Sequence, residues 1–236
     1  MALQILISNP AREIMNLLRL TTLCALFLGT TLGNASSTNV ILEKQLEIDE
    51  QFLTLRNTID IKDLPAKVSR FVEKGAMPMA LESGDLNKDG FKDYVLVFER
   101  LKTEKNTSLF EERSRPLLLL ISNEAGELTE LKRNELIIYC SECGGMMGDP
   151  FDGVEIKGQA FKVTLNGGSR WRWEVNYTFG YSRIDRTWQL VRVEEIQLDT
   201  FDEKSATETV STPPNHFGKI DISDFDPKKW KGVGDL

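Results

Sequence analysis

The stretch Trp171-Arg172-Trp173-Glu174-Val175-Asn176-Tyr177-Thr178-Phe179-Gly180-Tyr181 has the most regular pattern in this chain. Aromatic or aliphatic side chains stand at every second position, and polar residues or glycine stand between them. Successive side chains of a β-strand point to opposite faces of a sheet, so this alternation predicts a long strand with one apolar face. We therefore expect the aromatic face, with Trp171 and Trp173, to belong to a protein core, and the alternative is an aromatic platform for a sugar or a partner protein.

Strand patterns also flank this stretch on both sides. Apolar residues alternate over residues 161–165, and Gly167-Gly168 supplies a turn before Trp171. Residues 182–186 carry turn chemistry, and residues 188–196 form the next strand pattern. The region therefore predicts an antiparallel meander of three or four strands.

The preceding third of the chain is also predicted to be rich in strands. Apolar runs bounded by polar or glycine-containing turns indicate them, and residues 123–126 form one such turn. The predicted strands cover residues 77–82, 94–101, 116–122, 127–133 and 135–139. The expected fold class is mostly β, with a minor α component.

One helix is predicted before these strands, over residues 62–74. Apolar residues recur there at helical spacing, Asp63 can cap the start, and Pro65 is tolerated in a first turn. Gly75 stands where a helix would end.

An acidic loop, residues 84–93, lies between the first two predicted strands with the sequence GDLNKDGFKD. Oxygen-bearing side chains occupy alternate positions, and Gly90 allows a sharp reversal of the backbone. Calcium binds six to eight oxygen ligands and tolerates irregular geometry, so this spacing predicts a calcium site. The alternative is a polar hairpin turn, because turns favour the same residue types. The candidate ligands are the side chains of Asp85, Asn87, Asp89 and Asp93 and the carbonyl of Phe91.

The acidic loop and the following run Tyr94-Val95-Leu96-Val97 resemble the FG-GAP or VCBS-type calcium loops of integrin-like β-propellers. The resemblance implies that the loop joins two strands and that Asp85, Asn87, Asp89 and Asp93 are side-chain ligands. It covers about twenty residues and occurs once, whereas a propeller needs at least four blades. We therefore expect a strand–calcium loop–strand unit, not a full propeller.

Cys140 and Cys143 form a Cys-Ser-Glu-Cys segment, and in an oxidising compartment we expect a disulfide between them. A redox-active pair is the alternative, which the following Gly144-Gly145 disfavours because glycine is a poor helix former. The only histidine, His216, lies in a Pro/Asn-rich segment. Zinc binding and a hydrolytic triad are therefore both disfavoured.

A second resemblance is broader. Residues 140–151, CSECGGMMGDPF, together with residues 167–173, GGSRWRW, are similar to a group of uncharacterised exported bacterial proteins. The similarity implies a bacterial origin and a secreted or periplasmic location, and it carries no activity.

The first 35 residues have the features of a removable signal peptide. Arg12 and Arg19 precede an apolar run over residues 20–32, which is short for a membrane span. Small residues around Ala35 predict cleavage after it. Met15 is an alternative start, and an uncleaved membrane anchor is the alternative reading of the segment.

The remaining chain, residues 36–236, is acidic. The net charge of −7 becomes −8 when the signal segment, with two arginines and one glutamate, is removed. Nucleic acid is an unfavourable partner for such a chain, because phosphate binding relies on lysine and arginine. No second apolar run reaches membrane-spanning length. The expected organisation is a leader at 36–60, a calcium-loop β domain at 61–199 and a polar linker and tail at 200–236, in which residues 217–225 can dock as a last strand.

These features favour an exported, calcium-stabilised, non-enzymatic binding module with a protein or glycan partner in the cell envelope. Two alternatives stay open. One is an envelope hydrolase that uses carboxylates near Asp149 and Asp152, and the other is a redox protein built on Cys140 and Cys143.

Overall fold

A computed structural model describes residues 58–100 and 114–229. The predicted signal peptide at 1–35 lies outside these residues, as does the predicted leader up to residue 57. Within the two described ranges, no helix has the length and apolar character needed to cross a bilayer.

Two antiparallel sheets make up the fold, and the expectation of a mostly β architecture is confirmed. In each sheet the strand order follows the chain, so both sheets are antiparallel meanders. Sheet I contains β1 (Ala76–Gly84), β2 (Asp93–Arg100), β3 (Leu117–Ser122) and β4 (Leu128–Asn134). Sheet II contains β5 (Phe151–Lys157), β6 (Ala160–Gly168), β7 (Trp171–Ser182), β8 (Thr187–Asp199) and β9 (Asp202–Ser211).

The main core contains buried side chains from both sheets. Alternate residues of the central strands contribute to it, as the period-two pattern of β7 predicts. Its members include Val95, Val97, Leu117 and Leu119 from sheet I and Phe161, Val163, Val175, Tyr177, Phe179 and Val193 from sheet II.

A second apolar cluster covers the opposite face of sheet I. Leu96 and Leu118 of the central strands pack there with Leu64, Val68 and Val72 from the segment before β1. Strands β2 and β3 are therefore buried on both faces. This explains why their sequences are nearly continuous apolar runs instead of alternating ones.

The predicted helix over residues 62–74 is wrong in length. The structure has a 3-10 helix at Ile61–Asp63 and a one-turn α-helix, α1, at Ala66–Ser69. Leu64 is extended, with ψ at 142°, because a residue before proline is disfavoured in the helical region. Pro65 therefore separates two short turns, and Val68 reaches the core from the second.

The predicted strand at 135–139 is absent, since the Asn134 side chain takes the hydrogen bonds that a strand would need. Its Oδ1 accepts from the backbone N–H groups of Leu136 and Ile137, both at 2.7 Å. Its Nδ2 donates to the carbonyls of Ile222 and Phe225 at 2.6 and 2.7 Å. Through these bonds the buried Asn134 side chain bends the chain after β4 and holds the C-terminal segment against sheet I.

The polar linker expected after residue 199 is wrong for Asp202–Ser211, which forms β9 and pairs with β8. Its threonines and serines suit an edge strand with a solvated face. The predicted docking of residues 217–225 is confirmed in part. A single bridge joins Asp221 to Gln189, and Ile222 and Phe225 are buried in the main core.

Trp171 departs from the expectation for β7. Its side chain is 57 % exposed, whereas Val175, Tyr177 and Phe179 are buried. Strand β7 has 12 residues and the longest strand of sheet I has 9, so we attribute the exposure to an end of β7 that sheet I does not cover.

An ionic cluster lies at the end of sheet I where β2 and β4 finish. Arg100 contacts Glu73 at 2.6 Å and Glu135 at 2.7 Å, and Arg133 contacts Glu73 at 3.0 Å. The hydrogen bond from Arg100 outweighs partial burial and lowers the pKa of Glu73 to about 2. The cluster therefore favours ionised Glu73 in the folded state.

Replacing Phe225 by alanine is predicted to destabilise the fold by about 3–5 kcal/mol, because the ring is 2 % exposed and packs edge-on against Tyr177 and Phe179. Phe201→Ala is the matched control. That ring is 81 % exposed, and its loss should change stability by less than about 0.5 kcal/mol. Urea unfolding measures both. Equal effects of the two substitutions would contradict the docked position of the C-terminal segment.

Glu73→Gln is predicted to destabilise the protein near neutral pH and to lose that effect in acid. The folded pKa of Glu73 lies below its ordinary value of 4.5, so its contribution is complete above that value and disappears as pH falls towards about 2. Urea unfolding from pH 7 to pH 2 measures the difference between the two proteins. Glu124→Gln, in an exposed turn, is the control. A difference for Glu73→Gln that stays constant with pH would refute the ionic cluster.

Candidate metal centre

The acidic loop at 84–93 connects β1 to β2, in agreement with the predicted strand–loop–strand unit. Gly84 and Asp93 pair across the hairpin and close the loop. Gly90 has φ at 90°, a left-handed conformation that glycine adopts without steric strain. Leu86 is fully buried in the main core and anchors the middle of the loop. The acidic side chains around it are therefore held on a fixed backbone.

Local hydrogen bonds orient the first two acidic residues. Asp85 accepts from the N–H groups of Asp89 and Gly90 at 3.1 and 3.0 Å. Asp89 accepts from the N–H of Phe91 at 2.8 Å and from the amide of Asn87 at 2.7 Å. Each carboxylate oxygen keeps a further lone pair, so these bonds leave room for a cation.

Asp93 is fully buried at the start of β2. One of its carboxylate oxygens accepts from the N–H of Leu86 and the other accepts from the N–H of Ser122, both at 2.9 Å. The first bond holds the loop and the second holds the end of β3. Asp93 therefore joins three segments of sheet I through one side chain.

The structure brings Asp85, Asp89 and Asp93 together, with one oxygen from each within 4.8 Å of the others. Asn87 and Phe91 are connected to this cluster through their hydrogen bonds to Asp89. Calcium ligands lie at about 2.3–2.6 Å, so oxygens on opposite sides of an ion are separated by about 5 Å. The observed spacing fits that limit, and the all-oxygen donor set suits a hard cation.

The electrostatics of the cluster are unfavourable without a cation. Burial raises the pKa of Asp93, and the charges of Asp89 and Asp85 raise it further, against the effect of the Ser122 and Leu86 N–H groups. Three neighbouring carboxylates repel one another, and a divalent cation would remove that repulsion.

The disulfide predicted between Cys140 and Cys143 is present. Cys143 is exposed, and Gly144 behind it is buried against the end of β6. The carbonyl of Gly144 accepts from the N–H of Gly168 at 2.9 Å. A side chain at Gly167 would meet the Cα of Gly144 at 2.9 Å, so this close approach of two backbones requires glycine there. The two segments of the second resemblance, residues 140–151 and 167–173, are therefore in contact.

Arg115 anchors the loop that carries the disulfide, and the sequence alone did not single it out. It is fully buried and donates two hydrogen bonds of 2.7 Å to the two carboxylate oxygens of Asp149. It also contacts buried Glu99 at 3.2 Å and donates to the Tyr139 carbonyl at 3.1 Å. Burial alone would lower the pKa of Arg115, but the two carboxylates raise it.

This pairing bears on the catalytic alternative. Asp149, one of the two carboxylates considered for a hydrolase, accepts both bonds from Arg115 and a third from the N–H of Phe151 at 3.0 Å. A carboxylate held in this way has a structural role. To act as a general acid or base, Asp149 would have to break its bonds to Arg115 and leave that buried cation unpaired. A lone charged residue before a strand gives no periodic signal, which is why Arg115 was missed.

Comparison with known protein families, with curated proteins and with solved structures finds no match for this chain.

Arg115→Met is predicted to lower stability by about 3–5 kcal/mol, because it leaves the carboxylates of Glu99 and Asp149 near the core without their cation. Arg183→Met, on an exposed turn, removes the same charge and should change stability by less than about 0.5 kcal/mol. Thermal unfolding with the disulfide intact measures both. If the two substitutions have the same effect, the anchoring role of Arg115 is wrong.

Proposed function

We propose that this protein is an exported β domain that binds a protein or glycan partner in the bacterial envelope, and that Ca²⁺ bound at the acidic loop stabilises it. The observation that carries the calcium site is the convergence of Asp85, Asp89 and Asp93 within 4.8 Å at the base of a hairpin. The FG-GAP-like spacing of these residues supports the same assignment.

The ion would act structurally. Asp93 is bonded to Leu86 and Ser122, so a cation on its carboxylate would hold the loop against β3 and remove the repulsion from Asp85 and Asp89. Extracellular modules commonly bind calcium with Kd of about 10⁻⁴ to 10⁻³ M. Such affinities suit a compartment in which calcium is plentiful, consistent with the export that the first 35 residues predict.

A binding role is supported by the exposed end of sheet II. Trp171 and Phe201 are 57 % and 81 % exposed, and the Arg170 guanidinium lies 5.7 and 4.9 Å from their ring centroids. Arg170 is fixed by Asp199, with a contact of 2.6 Å. Exposed aromatic and arginine side chains held in place in this way are typical of contact surfaces for proteins and sugars.

Calcium is predicted to raise the melting temperature relative to a chelator by about 5–10 °C. A hundredfold excess of ligand over Kd adds about 2.7 kcal/mol, and each kcal/mol shifts a domain of this size by about 2–4 °C. Asp89→Ala should abolish the shift, since it removes one of the three converging carboxylates. Calorimetry with added Ca²⁺ or chelator measures it.

Glu124→Ala is the control, because it removes an exposed acidic side chain from the β3–β4 turn. It should keep the full calcium shift. The calcium assignment fails if wild-type protein melts at the same temperature in Ca²⁺ and in chelator. It also fails if Asp89→Ala and Glu124→Ala respond alike.

A further inference from the structure

Glu195 places a carboxylate on the core-facing side of β8. It pairs with Val175 of β7, and buried Val193 shares its face. Its Oε1 is buried, and it has no hydrogen-bond partner in the part of the chain that the structure describes. None of the ion pairs among the described residues involves Glu195. A buried hydrogen-bond acceptor without a donor destabilises the folded state. The presence of Glu195 at this position is therefore better explained by a binding role than by a contribution to stability.

Aromatic residues share the face of sheet II that carries this carboxylate. The strand register puts Trp173 and Tyr177 diagonally across from Glu195 on β7. Tyr139, from the loop after β4, packs on Trp173 with ring centroids 6.2 Å apart and planes inclined by 57°. The Tyr139 and Tyr177 hydroxyls lie 3.5 Å apart. We call Tyr139, Trp173, Tyr177 and Glu195 the aromatic corner.

The aromatic corner is open towards β9. Thr209 pairs with Glu195, and Thr207 pairs with Gln197, so all of these residues share one face of sheet II. Thr207, Thr209 and Gln197 are exposed. The face that forms the core further along the sheet is thus accessible at this end.

The charges at the corner are negative. Burial raises the pKa of Glu195. Burial also raises the pKa of Tyr139, and the charges of Glu195 and Asp226 raise it further. Two basic groups lie nearby, and each has a carboxylate partner. Arg115, which donates to the Tyr139 carbonyl at 3.1 Å, is paired with Glu99 and Asp149. Lys229 lies 3.3 Å from Asp226.

We propose that the aromatic corner binds an organic cation, an ammonium or guanidinium group carried by a free amine or by a basic side chain of a partner protein. The cation would pair with the carboxylate of Glu195, a side chain that is only partly buried, and lie against the faces of Trp173 and Tyr139. Charge-assisted bonds to carboxylates and attraction to aromatic faces are the two interactions that recognise such groups in proteins. A neutral sugar would gain the ring contact and leave the carboxylate charge without a counterion.

This inference rests on the binding role proposed above and names the chemistry of the ligand, but it does not depend on the calcium loop. The calcium-dependent melting shift of each variant is therefore measured alongside binding. A variant that keeps the calcium-dependent melting shift but no longer binds the organic cation separates the two proposals.

The experiment is a titration of ¹⁵N-labelled protein followed by NMR. The probes are 3,3-dimethylbutan-1-amine, which is a primary ammonium at neutral pH, its uncharged analogue 3,3-dimethylbutan-1-ol, and Nα-acetyl-lysine amide. We expect at least one cation to shift the Trp173 indole and Glu195 amide signals saturably, and the uncharged analogue to have no such effect. Binding of the free amine alone would indicate a small amine as the natural ligand, and binding of the lysine derivative would indicate a basic partner protein.

Glu195→Gln keeps the shape of the side chain and removes its charge, and we expect it to weaken cation binding at least about tenfold. Glu208→Gln is the matched control, because Glu208 is exposed on the opposite face of the sheet, opposite Ile196. It should leave binding unchanged. Lack of saturable binding by both cations, equal binding by Glu195→Gln, or equal binding of the uncharged analogue would overturn the proposal.

A stability measurement adds an independent criterion. Glu195→Leu should raise the melting temperature by about 2–4 °C while abolishing cation binding, because it removes a buried acceptor that has no internal donor. A lower melting temperature would show that Glu195 serves the fold, and would count against the site.

Discussion

The Asp93 carboxylate is the constraint on which sheet I and the candidate metal centre both depend. It is fully buried, and its two oxygens accept from Leu86 in the loop and Ser122 at the end of β3. Each bond satisfies a backbone donor that would otherwise be buried without a partner. The same carboxylate lies close to Asp85 and Asp89. The hydrogen bonds that order the hairpin therefore also hold three carboxylates together, and these repel one another.

The position of this carboxylate explains why a cation would matter beyond the loop itself. Strand β2 follows Asp93 directly and is buried on both faces, between the second apolar cluster and the main core. Repulsion that loosened the loop would therefore act directly before a strand that packs against both apolar clusters. The side chain of Leu86 extends from the acidic loop into the main core. A change in the conformation of the loop would therefore also change the packing of the core.

Periodic features were predictable from the sequence, and single-residue features were not. Alternation located β6, β7 and β8, and the spacing of oxygen side chains located Asp85, Asp89 and Asp93. Two edge strands were not predicted: β9 is mostly polar, and in β5 the alternation covers only residues 154–157, after a register shift at Gly153. Individual side-chain hydrogen bonds were not predictable either. Asn134 prevents a strand after β4 because it bonds to the backbone N–H groups of Leu136 and Ile137. Arg115 holds a loop through Asp149, which is 34 residues away in the sequence. We attribute the exposure of Trp171 to the greater length of β7 compared with the strands of sheet I. The local sequence pattern of β7 does not carry that information.

Amide hydrogen exchange at Leu86 and Ser122 tests the role of Asp93 most directly, because these two N–H groups donate to its carboxylate. We expect both amides to be protected well beyond exposed loop amides in calcium-free protein, and to exchange more slowly still when Ca²⁺ is added. Exchange at the rate of an exposed turn would contradict the account of the hairpin. Protection that is the same in Ca²⁺ and in chelator would contradict the calcium site.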